Sequence, residues 1–150
     1  MEKLREGGFL ISKIQKLSSR IFAKLLREFK AIEINPAQGR VMFPLWKSTK
    51  DKISFHELLQ MTSLSKATLS HMLDNLEKVG HIRRIRPKED EDKRSVYIKL
   101  TEKDKKLQDK YIEVSNRMKD IYYNDFTEED IDKFESYLRR ILDNLTDFSE

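Results

Sequence analysis

Two long stripes of apolar residues in the last third of the chain constrain its fold more than any other feature. The first stripe comprises Leu107, Tyr111, Val114, Met118 and Ile121, and the second comprises Ile131, Phe134, Leu138, Ile141, Leu145 and Phe148. Within each stripe the spacings alternate between four and three, which places the side chains on one face of an α-helix. The sequence therefore predicts two long amphipathic helices, separated by a break near residues 124–127.

Threonine caps support both predicted helices. Thr101 stands three residues before Asp104, and Thr127 stands three residues before Asp130, which is a carboxylate variant of the capping box. A matching stripe near the N-terminus predicts a third long helix over residues 9–30; its members are Leu10, Ile14, Leu17, Ile21, Leu25 and Phe29.

The three long helices raise the question of what covers their apolar faces. They could be buried within one monomer, but the middle of the chain is too short to cover all three. Burial against a second copy is favoured. We therefore predict a homodimer, with dimerisation helices at about 8–31 and 101–148.

Composition limits the remaining possibilities. The chain has 150 residues, 37% of them charged, which suits a single domain over 1–150 with one core. The absence of cysteine excludes disulfides, thiolate metal sites and a cysteine nucleophile. Residues 1–8 lack the apolar segment of a secretory signal and no apolar run approaches about 18 residues, so we expect a cytoplasmic protein without membrane contact.

The middle of the chain carries the signals of two short helices joined by a tight turn. Asn35 and Pro36 predict the start of a preceding helix, with a kink or an early end at Pro44. Ser54 and Glu57 then predict a capped helix over 55–61. Ser65 caps a second one over 66–78, which ends at Gly80. This order is a helix-turn-helix, within a winged domain at about 36–100.

Two short strands complete the predicted wing. They are predicted over 82–86 and 95–100, and the connection between them, 87–94, has no apolar residue. The predicted fold is mostly α, a winged helix-turn-helix domain with a two-stranded β-wing, flanked by long N- and C-terminal dimerisation helices.

The second helix of the pair begins with small polar residues on its free face. Such residues permit an α-helix to approach base edges in the major groove of double-stranded DNA. The groove-facing candidates are Ser65, Lys66, Thr68, Ser70 and His71. The alternative is that the serine and threonine are ordinary caps and that the lysine is only solvated.

A longer motif carries a family resemblance. The run from Asp92 to Lys103, DKRSVYIKLTEK, preceded by LDNLEKVGHI at 73–82, resembles the MarR family of transcriptional regulators. The similarity extends over about residues 9–148. It implies that Arg94 enters the minor groove and that Asp92 holds its guanidinium in a salt bridge.

The resemblance also implies a mechanism. A dimer would place two recognition helices in successive major grooves of a near-palindromic operator, about 34 Å apart. Basic residues would contact phosphates, namely Arg83, Arg84, Arg86, Lys88 and Lys93. By analogy with the family, the protein would repress transcription and be released by a small aromatic or anionic effector ligand.

Enzymatic alternatives have little support. Four glycines leave no phosphate-binding loop, and His56, His71 and His81 lack the spacing of metal ligands, so we predict no catalytic residue, no metal and no cofactor. A metal bound by His56 with Glu57 stays open as an alternative. We expect each histidine at the surface or facing the groove. The remaining alternative is a winged helix that binds another protein, or a helical scaffold without DNA binding.

Overall fold

The structure, a computed structural model, describes residues 2–31, 34–88 and 96–150, and within these ranges it has six helices and three strands. The helices are α1 (Gly7–Glu28), α2 (Pro36–Lys47), α3 (Phe55–Thr62), α4 (Lys66–Lys78), α5 (Glu102–Tyr122) and α6 (Glu128–Ser149). The strands are β1 (Ile53–Ser54), β2 (Ile82–Ile85) and β3 (Tyr97–Leu100). The predicted mostly helical, winged architecture is confirmed.

Helix α2 begins as predicted but does not end early. The Asn35 side chain accepts from the Gln38 backbone N–H and the Gln38 side chain accepts from that of Asn35, a full capping box ahead of Pro36. Of the two outcomes expected at Pro44, the early end is wrong, because the helix runs on to Lys47; the kink stays a prediction. Burial of Val41, Met42 and Leu45 offsets the bond that the proline removes.

Gly39 has a packing role in α2. A Cβ atom at this position would lie 3.1 Å from Cε1 of Phe22, a side chain of α1. The glycine thus permits the two helices to approach closely, which accounts for a residue that lowers helix propensity.

The helix-turn-helix forms where its caps predict. Ser54 accepts from the backbone N–H of Glu57 at the start of α3, and Ser65 accepts from that of Thr68 at the start of α4. Between the helices, Ser63 adopts the left-handed conformation (φ 54°). Gly80 follows α4 with φ 88°, as expected for the residue after a helix C-terminus.

The sheet is antiparallel with the order β1-β3-β2. Ile53 pairs with Ile98, and Ile82 pairs with Leu100. The strand β1 is absent from the sequence prediction because two residues show no periodicity. Strand β2 ends at Ile85 rather than at Arg86, and β3 begins at Tyr97.

The chain divides into two compact units, the first ending at Val114 and the second comprising Ser115–Glu150. The first unit holds the core. Its fully or almost fully buried apolar side chains include Ile34, Val41, Met42, Ile53, Leu58, Leu69, Leu73, Leu76, Ile82, Ile98, Tyr111 and Val114.

The second unit is organised differently. Helix α6, which the structure describes over its whole length, has no buried residue. Thr127 and Asp130 form its predicted capping box. The Tyr123 hydroxyl donates to Glu135 at 2.8 Å, and the Tyr123 ring lies against Phe126 and Phe134. Burial, followed by this hydrogen bond, raises the pKa of Tyr123 to about 12.

In the part of the chain that the structure describes, no helix combines the length and the apolar run that crossing a membrane requires.

Candidate nucleic-acid interface

Helix α4 separates an apolar face from a polar one. Leu69, Leu73 and Leu76 have no exposed area and anchor the helix in the core. Its N-terminal turns present Lys66, Thr68 and His71 as exposed side chains, with Ser70 half-buried beside them; Ser65 is exposed just ahead of the helix. The five candidates from the sequence thus lie together along one end of α4.

Local hydrogen bonds hold the start of this surface in place. The Ser65 hydroxyl donates to the Thr68 hydroxyl at 2.9 Å while accepting from the Thr68 backbone N–H at 3.1 Å. Two hydroxyl groups at the helix N-terminus are therefore fixed before any partner binds, which lowers the entropy lost on binding.

Asn75 belongs to the same exposed surface, although it is not among the candidates predicted from the sequence. Its Nδ2 lies 3.5 Å from Nε2 of His71, one helical turn earlier. The spacing of four from His71 was the signal that could have revealed it.

A basic edge follows α4 along β2. Residues 66–88 include six Lys or Arg side chains and two acidic ones, Asp74 and Glu77. The side chains of Arg83, Arg86 and Lys88 are exposed.

Arg84 differs from the other cations on this edge because both acidic residues bind it. Its guanidinium lies 2.6 Å from Asp74 Oδ1 and 2.8 Å from Glu77 Oε1, and its backbone N–H donates to Glu77 Oε2 at 2.9 Å. This backbone bond and the guanidinium lower the pKa of Glu77, and the Glu77 carboxylate in turn raises the pKa of Arg84. Arg84 thus ties β2 to α4 and leaves the other cations without carboxylates competing for them from this range.

Asp92, Lys93 and Arg94 lie outside the described residues, as does Ser95, the first residue of the second predicted strand. Their assigned roles stay predictions.

His81 is not at the surface, contrary to the sequence prediction. It is fully buried after α4, with Nδ1 2.7 Å from Oδ1 of the equally buried Asp104. The sequence reading missed this pair because the two residues are 23 positions apart, so no local spacing signals the contact.

No candidate metal centre is present among residues 2–31, 34–88 and 96–150: no three His, Asp or Glu side chains lie close enough together to hold an ion.

The fold is similar to that of solved MarR-type regulators. A MarR transcriptional regulator from Methanosarcina mazei Go1 is 20% identical, with a TM-score of 0.77 over 97% of this chain and 94% of that one. A mutant MarR from E. coli, complexed with operator DNA, is 23% identical, with a TM-score of 0.73 over 94% and 99%. MepR from S. aureus, in its DNA-binding conformation, is 22% identical, with a TM-score of 0.78 over 92% and 97%.

At these identities the likenesses show a shared fold, and they agree with the MarR resemblance of the sequence motifs. No curated protein matches the chain. The family described as "Transcriptional regulator SarA/Rot" matches residues 20–111, which is more than half of the sequence. The chain therefore belongs to the SarA/Rot family of transcriptional regulators, has the MarR-type winged-helix fold, and is a regulator and not an enzyme.

Proposed function

We propose that the protein binds double-stranded DNA sequence-specifically, with the N-terminal turns of α4 in the major groove. The carrying observation is that α4 buries its leucines completely while it presents Lys66, Thr68 and His71 to solvent. A helix fits this groove, and short side chains let its backbone approach the base edges. The operator-bound E. coli relative supports the proposal.

We assign the phosphate contacts to Arg83, Arg86, Lys88 and Lys93. The first three are exposed cations beside α4, which suits contacts that position a protein without reading sequence. Arg84, bound by Asp74 and Glu77, is given the supporting role of holding β2 against α4. Arg94, supported by Asp92, is proposed to enter the minor groove.

We propose that the protein binds DNA as a homodimer. Helix α1 carries five basic residues and one acidic residue, whereas α6 carries seven acidic residues and three basic ones. Both helices also expose apolar side chains, for example Ile14 on α1 and Leu145 on α6. Opposite charges around apolar stripes favour pairing of α1 with α6 of a second copy.

Such a dimer would recognise a near-palindromic operator, because two-fold symmetry in the protein requires it in the site. We propose that binding represses transcription in the cytoplasm and that a small aromatic or anionic effector releases the DNA. These last roles follow from the family resemblance alone.

The test is fluorescence polarisation with the protein's own upstream intergenic DNA at several salt concentrations. The affinity should fall steeply with salt, and Arg83→Ala should reduce the slope of log K against log salt by about one. Arg94→Ala should weaken binding at every salt concentration. The matched control is Lys106→Ala, which removes one exposed charge from α5 and should leave the slope unchanged.

Salt-insensitive binding, or equal behaviour of the Arg83, Arg94 and Lys106 variants, would overturn the proposal. The protein-interaction alternative would then be favoured.

A further inference from the structure

Three side chains form a polar cluster inside the first unit, away from the proposed DNA contacts. Asp104 and His81 are both fully buried and joined by the 2.7 Å hydrogen bond. The indole Nε1–H of Trp46 donates to the other carboxylate oxygen of Asp104 at 3.0 Å. The cluster thus connects α2, the segment after α4, and the first turn of α5.

An aromatic ring contacts two of these three residues, Trp46 and His81. Tyr111, itself buried, stacks on Trp46 with ring centroids 5.2 Å apart and an interplanar angle of 17°. Its ring meets His81 edge-on at 5.8 Å. Stacked, edge-on and hydrogen-bonded contacts each have a preferred geometry, so together they restrict how the elements can rotate against one another.

Three hydrogen bonds join the segment after α4 to the start of α5. The Thr101 backbone N–H donates to the His81 carbonyl at 3.2 Å, and the Thr101 hydroxyl donates to the Gly80 carbonyl at 2.5 Å. The ammonium of Lys103 donates to the Val79 carbonyl at 2.6 Å. The carbonyls of residues 79–81, which follow α4, are therefore bound by Thr101 and Lys103 at the start of α5, and the polar cluster extends this junction to α2.

The energetics separate stability from orientation. Replacing a buried polar pair with apolar side chains of similar volume is often neutral or stabilising, whereas removing one partner is costly. What an apolar replacement lacks is a directional bond that selects one arrangement.

We propose that His81, Asp104 and Trp46 are positioning residues: they fix the orientation of α4 relative to α2 and the start of α5, and so set DNA affinity without touching DNA. The inference rests on the proposed DNA-binding function. Substitutions that touch neither ligand can change the coupling between two sites by up to about 30-fold, and we expect an effect within this range on DNA affinity.

The test compares three variants with the parent on the upstream intergenic DNA. The double variant His81→Leu/Asp104→Ala keeps about the same total volume without the polar pair. Its melting temperature should lie closer to that of the parent than that of His81→Leu alone does, although the indole N–H of Trp46 loses its acceptor. Its DNA affinity should fall about tenfold. His81→Leu alone, which leaves Asp104 without this partner, should melt at a lower temperature.

His81→Asn is the conservative variant, because its amide nitrogen can occupy the position of Nδ1 and keep the bond to Asp104. It should retain affinity within about threefold of the parent. All titrations are run at a temperature at which circular dichroism shows each variant folded, so affinity is read from folded protein only.

Parent-like affinity of the double variant would overturn the inference, and so would an equal loss in His81→Asn and the double variant. If the parent itself does not bind DNA, the proposed DNA-binding function is wrong. That outcome is distinct from the two above, which contradict only the positioning role of the cluster.

Discussion

Helices α4 and α6 are both amphipathic, but only α4 has buried residues within the chain. Leu69, Leu73 and Leu76 of α4 are fully buried in the core of the first unit, and most of the side chains that α4 exposes are polar. Along α6 no residue is buried, and Leu145 and Phe148 are 64% and 91% exposed. This difference agrees with the two partners proposed above: DNA for the polar surface of α4, and a second copy for the exposed apolar stripe of α6.

The largest expected effect comes from placing a charge on the apolar stripe of α6. Leu145→Glu should raise the dimer dissociation constant by at least about 100-fold, because burying an unpaired carboxylate costs several kcal/mol in each copy. Light scattering coupled to gel filtration over a concentration series measures this.

Ser136→Glu is the control, since it adds the same charge to an exposed position on the opposite face of α6. If the dimer dissociation constant of Leu145→Glu is unchanged, the apolar stripe of α6 has a partner other than a second copy.

The next effect concerns the exposed surface of α4. Lys66→Ala and Thr68→Ala should each weaken specific DNA binding by about 1–3 kcal/mol while the dimer mass stays the same. Thr68→Ala keeps the helix cap, because Ser65 accepts from the backbone N–H of residue 68. Fluorescence polarisation titrations measure the DNA affinity, and light scattering on the same samples measures the dimer mass. Loss of the dimer would mean that Lys66 and Thr68 belong to the dimer interface and not to the DNA-binding surface.

A smaller effect should appear where β2 is tied to α4. Arg84 lowers the pKa of Glu77 below its ordinary value of 4.5, so this carboxylate stabilises the fold above pH 4.5 and the contribution is lost as pH falls through the folded pKa. Glu77→Gln should therefore lower the free energy of unfolding near neutral pH by less than about 1 kcal/mol, because both side chains remain about one-third exposed.

The difference between Glu77→Gln and the parent should vanish well below pH 4.5, as measured by urea unfolding at a fixed protein concentration. Glu102→Gln removes a more exposed partner, that of Lys105, and serves as the control with no expected change. A difference in the free energy of unfolding that grows as the pH falls would contradict this role of Glu77.

The smallest effect lies beside α6. The raised pKa of Tyr123, about 12 instead of 10, means that its neutral form stabilises the second unit below pH 10 and that this contribution is lost as pH rises through 12. In an ultraviolet titration, the Tyr123→Phe variant should lack a component that the parent shows near pH 12, and its DNA affinity should be unchanged. Identical titration curves of Tyr123→Phe and the parent in this pH range would contradict the assignment to Tyr123.

Local signals were sufficient to predict most of the fold. Caps at Asn35, Ser65 and Thr127 act within three residues, and the apolar stripes repeat within one or two turns, so the sequence itself contains them. The continuation of α2 past Pro44 depends on tertiary burial that propensity does not contain. The candidate DNA surface on α4 could be predicted because small polar residues follow a cap.

Contacts between distant residues could not be predicted in this way. Strand β1 exists through its pairing with β3, and its two residues have no pattern of their own. The burial of His81 depends on Asp104, and the role of Arg84 depends on carboxylates seven and ten positions earlier on α4. Each of these residues carries a polar or charged group, which in a sequence alone suggests exposure.

The bond between Trp46 and Asp104 also has a consequence for how folding can be observed. It joins residues 58 positions apart, and Trp46 is the only tryptophan of the chain. Closing so long a loop costs chain entropy before the contact returns any stabilisation, so such contacts tend to form late. The intrinsic fluorescence of the protein should therefore report the closing of the first unit, and helices that form earlier should be visible only by circular dichroism.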